Sequence, residues 1–293
     1  RADWIVGINA TRLFSCLYGT TLNTGRVMSP TLAMAVEREA TISAFQPESF
    51  YQVQLDFDGF SVSGERMKTR EEAENLEATC RREGSASIGK IVQVEKMEKP
   101  PALYDLTTLQ REANRVLGYT AQQTLDYVQA LYEKKLVTYP RTDSRYLTED
   151  MAGMLSELAA VTVAICFPEA GSVSVNAEQV VNSKRVTDHH AIIPTKEVQN
   201  GTLSELPKGE LEILRLIAKR LLSAVSAPCR YAETTAEIFC GGTAFKAKGK
   251  TVLSAGWKEI EEKCGSKKKK DKANILPHLQ ENTTLPLLSA EVK

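Results

Sequence analysis

Tyr51-Gln52-Val53-Gln54-Leu55-Asp56-Phe57-Asp58-Gly59 decides the fold class of this chain. Tyr51, Val53, Leu55 and Phe57 alternate with Gln52, Gln54, Asp56 and Asp58, the period of two that a half-buried antiparallel strand requires, and Gly59 supplies a turn. The residues before it carry a helical period instead: Trp4, Ile5, Ile8 and Arg12 fall on one stripe. Arg12 sits where an apolar residue belongs, so either its stem snorkels out at a helix end or it aims a cation into a cleft. Asn23-Thr24-Gly25 forms a turn-rich link to Ser29-Pro30, an N-cap with proline in the first turn of a helix running to about Phe45. After Gly59 come a charged helix near Arg70 to Arg82, a strand near Ile91 to Val94, and a hinge at Pro100-Pro101.

Residues 107–225 carry helical signals. Thr107-x-x-Gln110 and Thr120-x-x-Gln123 are capping-box patterns, with Gly118 between them as a C-terminal stop. On the second of these helices Leu125, Val128, Leu131, Tyr132 and Leu136 make the predicted buried stripe, while Gln129 and Glu133 lie four apart along its edge. Further helices fit Asp150 to Ala160 and Lys208 to Val225. After Pro228 the strand signal returns in Arg230 to Phe239, Phe245 to Ala247 and Val252 to Leu253, with Gly241-Gly242 and Gly249 as turns. The prediction is an α+β, multidomain chain: a short helical piece over 1–46, an antiparallel β domain split between 47–100 and 226–293, and a helical domain inserted at 101–225.

Composition narrows the function classes. With 37 basic and 37 acidic residues among 293, the chain has no global field, so any nucleic-acid site is local and binding by phosphate attraction is weak and salt-dependent. Lys267 to Lys270 reads as a solvated loop, or otherwise as such a local contact. The longest apolar stretch, Leu158 to Phe167, falls far short of the roughly 20 residues of a membrane span, and no leader pattern precedes it. Six scattered cysteines without a C-x-x-C pair argue for reduced thiols and a cytoplasmic location. Gly249-Lys250-Thr251 lacks the P-loop's earlier glycine, Ala244 standing there, and the neighbouring pair His189-His190 with distant His278 makes a poor zinc site. Asp56-Phe57-Asp58 puts two carboxylates on one strand face, but that face is the wet one, so no metal site is expected in the chain.

The informative segment is Leu136-Val137-Thr138-Tyr139-Pro140-Arg141-Thr142-Asp143-Ser144. It resembles the active-site motif of type IA DNA topoisomerases, in the Tyr-Pro form typical of topoisomerase III. Gly25-Arg26-Val27-Met28-Ser29-Pro30-Thr31 with Val36-Glu37-Arg38-Glu39, Leu106-Thr107-Thr108-Leu109-Gln110, Leu131-Tyr132-Glu133, and Asp188-His189-His190-Ala191-Ile192-Ile193-Pro194-Thr195 agree in family order. The resemblance implies that Tyr139 attacks a phosphodiester of single-stranded DNA, leaving a 5′-phosphotyrosyl link and a free 3′-hydroxyl. Only about 0.1% of a free phenol is ionised at pH 7, so the reaction needs help, and the Arg141 guanidinium two residues on is the available cation.

By the same resemblance His189 assists catalysis or single-strand contact, while Gln129, Glu133, Thr142 and Asp143 are supporting polar residues. Arg26 matches a DNA-binding arginine, and Asp3 and Arg12 lie on the helix that lines the family's single-strand groove, to which 1–46 would belong. Met28 departs from the glutamine usual at that position and cannot donate a hydrogen bond. The family's magnesium is held by a Toprim domain; since Arg1-Ala2-Asp3-Trp4 reads as though entered mid-helix, the expectation is a central gate fragment whose parent supplies the Toprim domain and the rest of the groove. Such a fragment would be inactive alone. The contrasting expectation is a non-catalytic single-strand-binding accessory protein on the same scaffold.

Overall fold

The computed structural model describes residues 2–201, 203–265 and 276–293, so Lys267 to Lys270 lie outside the described residues. It divides into two units, Arg1–Tyr51 with Arg66–Arg70, and Gln52–Glu65 with Glu71–Lys293.

In the first unit, helices α1 (Ala2–Tyr18) and α2 (Met28–Ser43) are joined by a link that folds back on α1: the Thr24 amide donates to Thr11 Oγ1 and the Leu22 amide to Ser15 Oγ, both at 2.9 Å. Ser29 is not the N-cap. Helix α2 starts earlier, after Val27, and the Ser29 hydroxyl accepts from the Gly25 amide at 3.1 Å. Pro30 falls at the third helical position, where the missing N–H has no intrahelical partner to lose. The apolar stripe predicted on α1 is present but open: neither helix has a buried residue, and Trp4 is 71% exposed.

Among its described residues the second unit contains two antiparallel sheets. Strands β1 (Val53–Phe57) and β2 (Phe60–Ser63) form a hairpin over Asp58-Gly59, with β7 (Ser289–Val292) on the far side of β1, and Val53, Leu55 and Phe57 point into the core as their period requires. The other sheet has the order β5-β4-β3-β6, built from β3 (Ser85–Glu98), β4 (Cys229–Cys240), β5 (Thr243–Ser254) and β6 (Thr284–Pro286). Helix α3 (Arg70–Glu83) precedes β3 where the charged helix was predicted. Strands before and after the helical region therefore pair directly, β3 with β4 from Ser87↔Phe239 to Glu98↔Cys229. Strand β3 is far longer than the four residues its composition suggests, because beyond Ile91 it is mostly exposed and is held by backbone pairing rather than by buried side chains. Gly249 is not a turn; it pairs with Thr234 inside β5. Gly241-Gly242 is one, a two-residue loop with φ of 59° and 69° that only glycine adopts without cost.

The helices between the sheets are α4 (Leu106–Leu117), α5 (Ala121–Glu133), α6 (Leu155–Cys166) and α7 (Lys208–Val225), with a 3₁₀ turn, Glu149–Met154, leading into α6. The cap of α5 is Thr120 with Gln123, and Gly118 closes α4 at φ 76°, both as the sequence predicts. The cap of α4 differs: Asp105 with Thr108, not Thr107 with Gln110, forms the box. A carboxylate at the positive end of a helix outcompetes the hydroxyl two residues on. Leu109, Ala113, Val128, Leu131, Ile213 and Ile217 pack together between α4, α5 and α7. Thr124 is buried on α5, cheaply, since its hydroxyl donates to the Thr120 carbonyl at 2.9 Å, and the stripe through Thr124, Val128 and Leu131 turns Tyr132 outward to 39% exposure.

Helix α8 (Trp257–Lys263) follows β5, in a range that the sequence gives to the β domain without assigning it a strand, and Ile260 is buried among Ala159, Val163, Phe167, Ala218 and Leu222 of the helical core. At this crossing the Trp257 amide donates to the Ala227 carbonyl at 2.8 Å and its indole Nε1 to the Glu98 carbonyl at 3.2 Å, while Lys258 pairs with the Glu98 carboxylate. Gly256 adopts φ 52° and ψ −132°, and a Cβ there would lie 2.4 Å from the carbonyl oxygens of both Ala227 and Pro228.

Tyr104, 2% exposed at the entry to α4, has its hydroxyl bonded by Arg220 Nη2 at 3.0 Å, and burial pushes the phenol up to about 12. Between pH 10 and 12 the unfolded chain therefore loses this proton while the folded one keeps it. Folding should weaken over that window by up to about 3 kcal/mol, with full stability below pH 10. Urea denaturation of wild type and Tyr104→Phe at pH 9 and pH 11.5 would measure it; an equal loss in both proteins would show that another group is responsible.

Candidate active site

The site begins at the end of α5. Lys134 is the C-cap, and Lys135 takes φ 60°, the left-handed position usually given to glycine. The Leu136 amide donates to the Leu131 carbonyl at 2.9 Å and the Lys135 amide to the Tyr132 carbonyl at 2.8 Å, the paired bonds of a Schellman turn. The chain reverses there and runs out along residues 191–195. Thr195 donates its amide to the Leu136 carbonyl at 3.0 Å, Val137 bridges Pro194, and the Thr138 amide donates to the Ile193 carbonyl at 2.9 Å. The Thr138 hydroxyl donates to the Ala191 carbonyl at 3.1 Å and accepts from the Ile193 amide at 3.0 Å. Beyond Pro140, the buried Thr142 hydroxyl donates to the His189 carbonyl at 2.8 Å, and Asp143 accepts from the Thr187 hydroxyl at 3.2 Å. Two motifs some fifty residues apart are thus laced side by side.

Tyr139 is half-buried in this seam. Its ring meets Tyr132 edge-on at 5.4 Å between centroids and lies 4.3 Å from the His189 ring at a 42° tilt. The Tyr139 hydroxyl makes no hydrogen bond, and exposed Arg141 no ion pair, among the described residues. Gln129 Nε2 donates to Glu133 Oε1 at 3.1 Å, which orients the amide because a carboxylate can only accept; its own Oε1 is buried with no partner among the described residues. A cleft of about 490 Å³ opens beside Tyr139, lined by Tyr132, Glu133, Lys135, Thr138 and His190 among others. His190 Nδ1 lies 2.9 Å from the Ala191 carbonyl, so that nitrogen carries the proton and Nε2 is the atom left for a ligand.

Asp3, Arg12 and Arg26 belong to the first unit. There Arg26 Nε pairs with Asp3 Oδ1 at 3.1 Å in an exposed ion pair, while Arg12 is exposed on α1, and Met28 opens α2, also exposed. Asp56 does not fit a magnesium site. Its Oδ1 accepts from Gln54 at 2.8 Å and its Oδ2 from Ser289 at 2.7 Å, bonds that hold the carboxyl below its usual range. Among the described residues no group of three or more His, Cys, Asp or Glu side chains is placed to hold a metal.

Sequence reasoning passes over Tyr132, which it buries, and Lys135, Thr138 and His190, which it gives no role. A lysine in a left-handed turn leaves no trace in composition, whereas a glycine there would.

The family described as DNA topoisomerase matches residues 1–293. The chain belongs to the DNA topoisomerase family. DNA topoisomerase 3 of Bacillus subtilis (strain 168) is 40% identical over 301 residues, covering 97% of this chain and 41% of the relative. DNA topoisomerase 3 of Bacillus licheniformis is 40% identical over 305 residues, covering 98% and 41%. The chain therefore spans well under half the length of these topoisomerases. Among solved structures, full-length topoisomerase I from Thermotoga maritima matches 99% of this chain and 48% of its own, with a TM-score of 0.76 at 23% identity, so this topoisomerase chain shares its α+β fold. No helix among the described residues is long and apolar enough to cross a membrane.

Proposed function

We propose that this chain is the gate region of a type IA DNA topoisomerase and that Tyr139 is its covalent nucleophile. The observation that carries the reading is the seam that brings the Tyr139 segment and the His189 segment together, with a phenol oxygen that has no hydrogen bond and, two residues on, an exposed Arg141 that has no ion pair among the described residues. The phenol oxygen attacks a backbone phosphorus of single-stranded DNA, the bond to the 3′-oxygen breaks, and that oxygen leaves as a 3′-hydroxyl; resealing is the reverse. Arg141 offsets the charge that builds on the phosphate oxygens, and His189, whose ring lies 4.3 Å from that of Tyr139, assists catalysis or contacts the strand. Thr142 positions His189 through its carbonyl, Asp143 ties down the adjoining loop, and Gln129 and Glu133 present a fixed amide–carboxylate pair. Asp3, Arg12 and Arg26 serve the strand-binding groove, Arg26 shared with Asp3.

The magnesium of the reaction belongs, in this reading, to a Toprim domain elsewhere in the longer protein, which with the remaining groove residues is this chain's partner. Asp56 gives no support for placing it here. Residues 101–225 form the domain that swings, hinged near Pro100-Pro101 and Pro228, with α8 as a further tie to the sheet. Six free cysteines support a cytoplasmic setting.

Covalent capture of labelled single-stranded DNA by the longer protein, followed by peptide mapping, tests the assignment; an adduct on any residue but Tyr139 overturns it. Arg141→Ala should slow cleavage at saturating DNA about a hundredfold or more, as removal of one transition-state donor does elsewhere, whereas Arg26→Ala should weaken binding and leave the saturated rate nearly intact. Single-turnover cleavage across DNA concentrations separates the two, and equal rate losses at unchanged affinity would contradict the division of roles.

A further inference from the structure

We infer that the cleft between Tyr132 and Lys135 is a nucleotide subsite that grips the strand beside the tyrosine, with Tyr132 stacking on a base and the Lys135 ammonium pairing with a phosphate; the inference rests on Tyr139 being the nucleophile. The cleft's volume, about 490 Å³, lies in the range of sites for small ligands, and a single nucleotide is a ligand of that class. Tyr132 is turned out of the α5 core, meets Tyr139 at 80° between ring planes and lines the cleft, so an exposed aromatic ring of the kind that stacks on bases stands beside the nucleophile.

Lys135 supplies the second, independent observation. It stands at φ 60°, where glycine would be the less strained residue, and its side chain has no bonded partner among the described residues. The chain keeps a lysine at a position its backbone disfavours, and that lysine lines the same cleft as the nucleophile. Strain of this kind points to the side chain rather than the turn. His190 Nε2 and the Glu133 carboxylate are both acceptors and suit the amino hydrogens of a base edge in the same space. A strand held here stays with the tyrosine-bearing helices after cleavage, which suits the end that remains covalently attached.

The test is fluorescence anisotropy of the 293-residue chain with a labelled ten-nucleotide single strand, from 20 to 200 mM salt. Lys135→Gly should raise Tm by about 2 °C through relief of the left-handed strain. It should also lower the slope of log K against log salt by about 0.7, the value for one phosphate contact on a single strand, while Lys135→Arg keeps the wild-type slope. Tyr132→Ala should weaken binding about tenfold and Tyr132→Trp should not, with Tm reporting whether each variant is folded. An unchanged slope for Lys135→Gly, an unchanged affinity for Tyr132→Ala, or no binding by the wild-type chain at 20 mM salt would overturn the subsite. Covalent capture by the longer protein is read separately: binding that tracks Tyr132 and Lys135 without capture on Tyr139 removes the nucleophile assignment, and capture with no effect of either substitution removes only the subsite.

Discussion

Tyr139→Phe is expected to lower DNA cleavage by the longer protein about ten-thousand-fold or more and to leave the fold untouched. Removal of a nucleophile in other enzymes costs a factor of this size, because no neighbouring group can take over the covalent step. Stability should be spared for a reason visible in the site. The ring contacts with Tyr132 and His189 are kept by phenylalanine, and the lost hydroxyl has no hydrogen-bond partner among the described residues, so the change should fall within about 0.5 kcal/mol. Gel detection of the covalent adduct and a urea melt of the same preparation give both halves. Persistent adduct would remove Tyr139 from the reaction, and a large loss of stability would show that its hydroxyl is bonded after all.

The largest structural effect should come from Gly256→Ala. The backbone there, φ 52° and ψ −132°, is closed to residues with a side chain, and the new Cβ would press on two carbonyl oxygens at 2.4 Å. Neither obstacle is a flexible side chain. Strain and overpacking together should cost about 4 kcal/mol or more and lower Tm by about 10 °C. Gly242→Ala is the control: it also has positive φ, 69°, but nothing lies within 4 Å of its would-be Cβ, so only about 1 kcal/mol is at stake. Equal melting temperatures for the two variants would mean that the crossing at Ala227–Pro228 yields more easily than its geometry implies.

What the sequence discloses is what short stretches decide. Lys208–Val225, the Thr120 cap and the Val53–Phe57 alternation each depend on a few neighbours, and each stands where the sequence puts it. Strand β3 does not, because its last eight residues are held by β4, more than a hundred residues later, rather than by their own apolar pattern. Helix α8 goes unread for a related reason: seven residues after a strand carry no sign that Ile260 enters the core of another layer. Around Tyr139 the motif residues are legible as a list, whereas their neighbours are not. The outward turn of Tyr132 follows from Thr124 taking the buried place, a choice that periodicity, which favours Leu125, reads the other way.

The bonds from Thr138 and Thr142 to the 189–193 backbone have a mechanical consequence. They span far more chain than they join in space, so the tyrosine and the histidine beside it share one chassis. Any displacement of this part of the molecule carries both rings together, and on return they arrive already aligned to each other; only the fit between that chassis and whatever faces it must be found again.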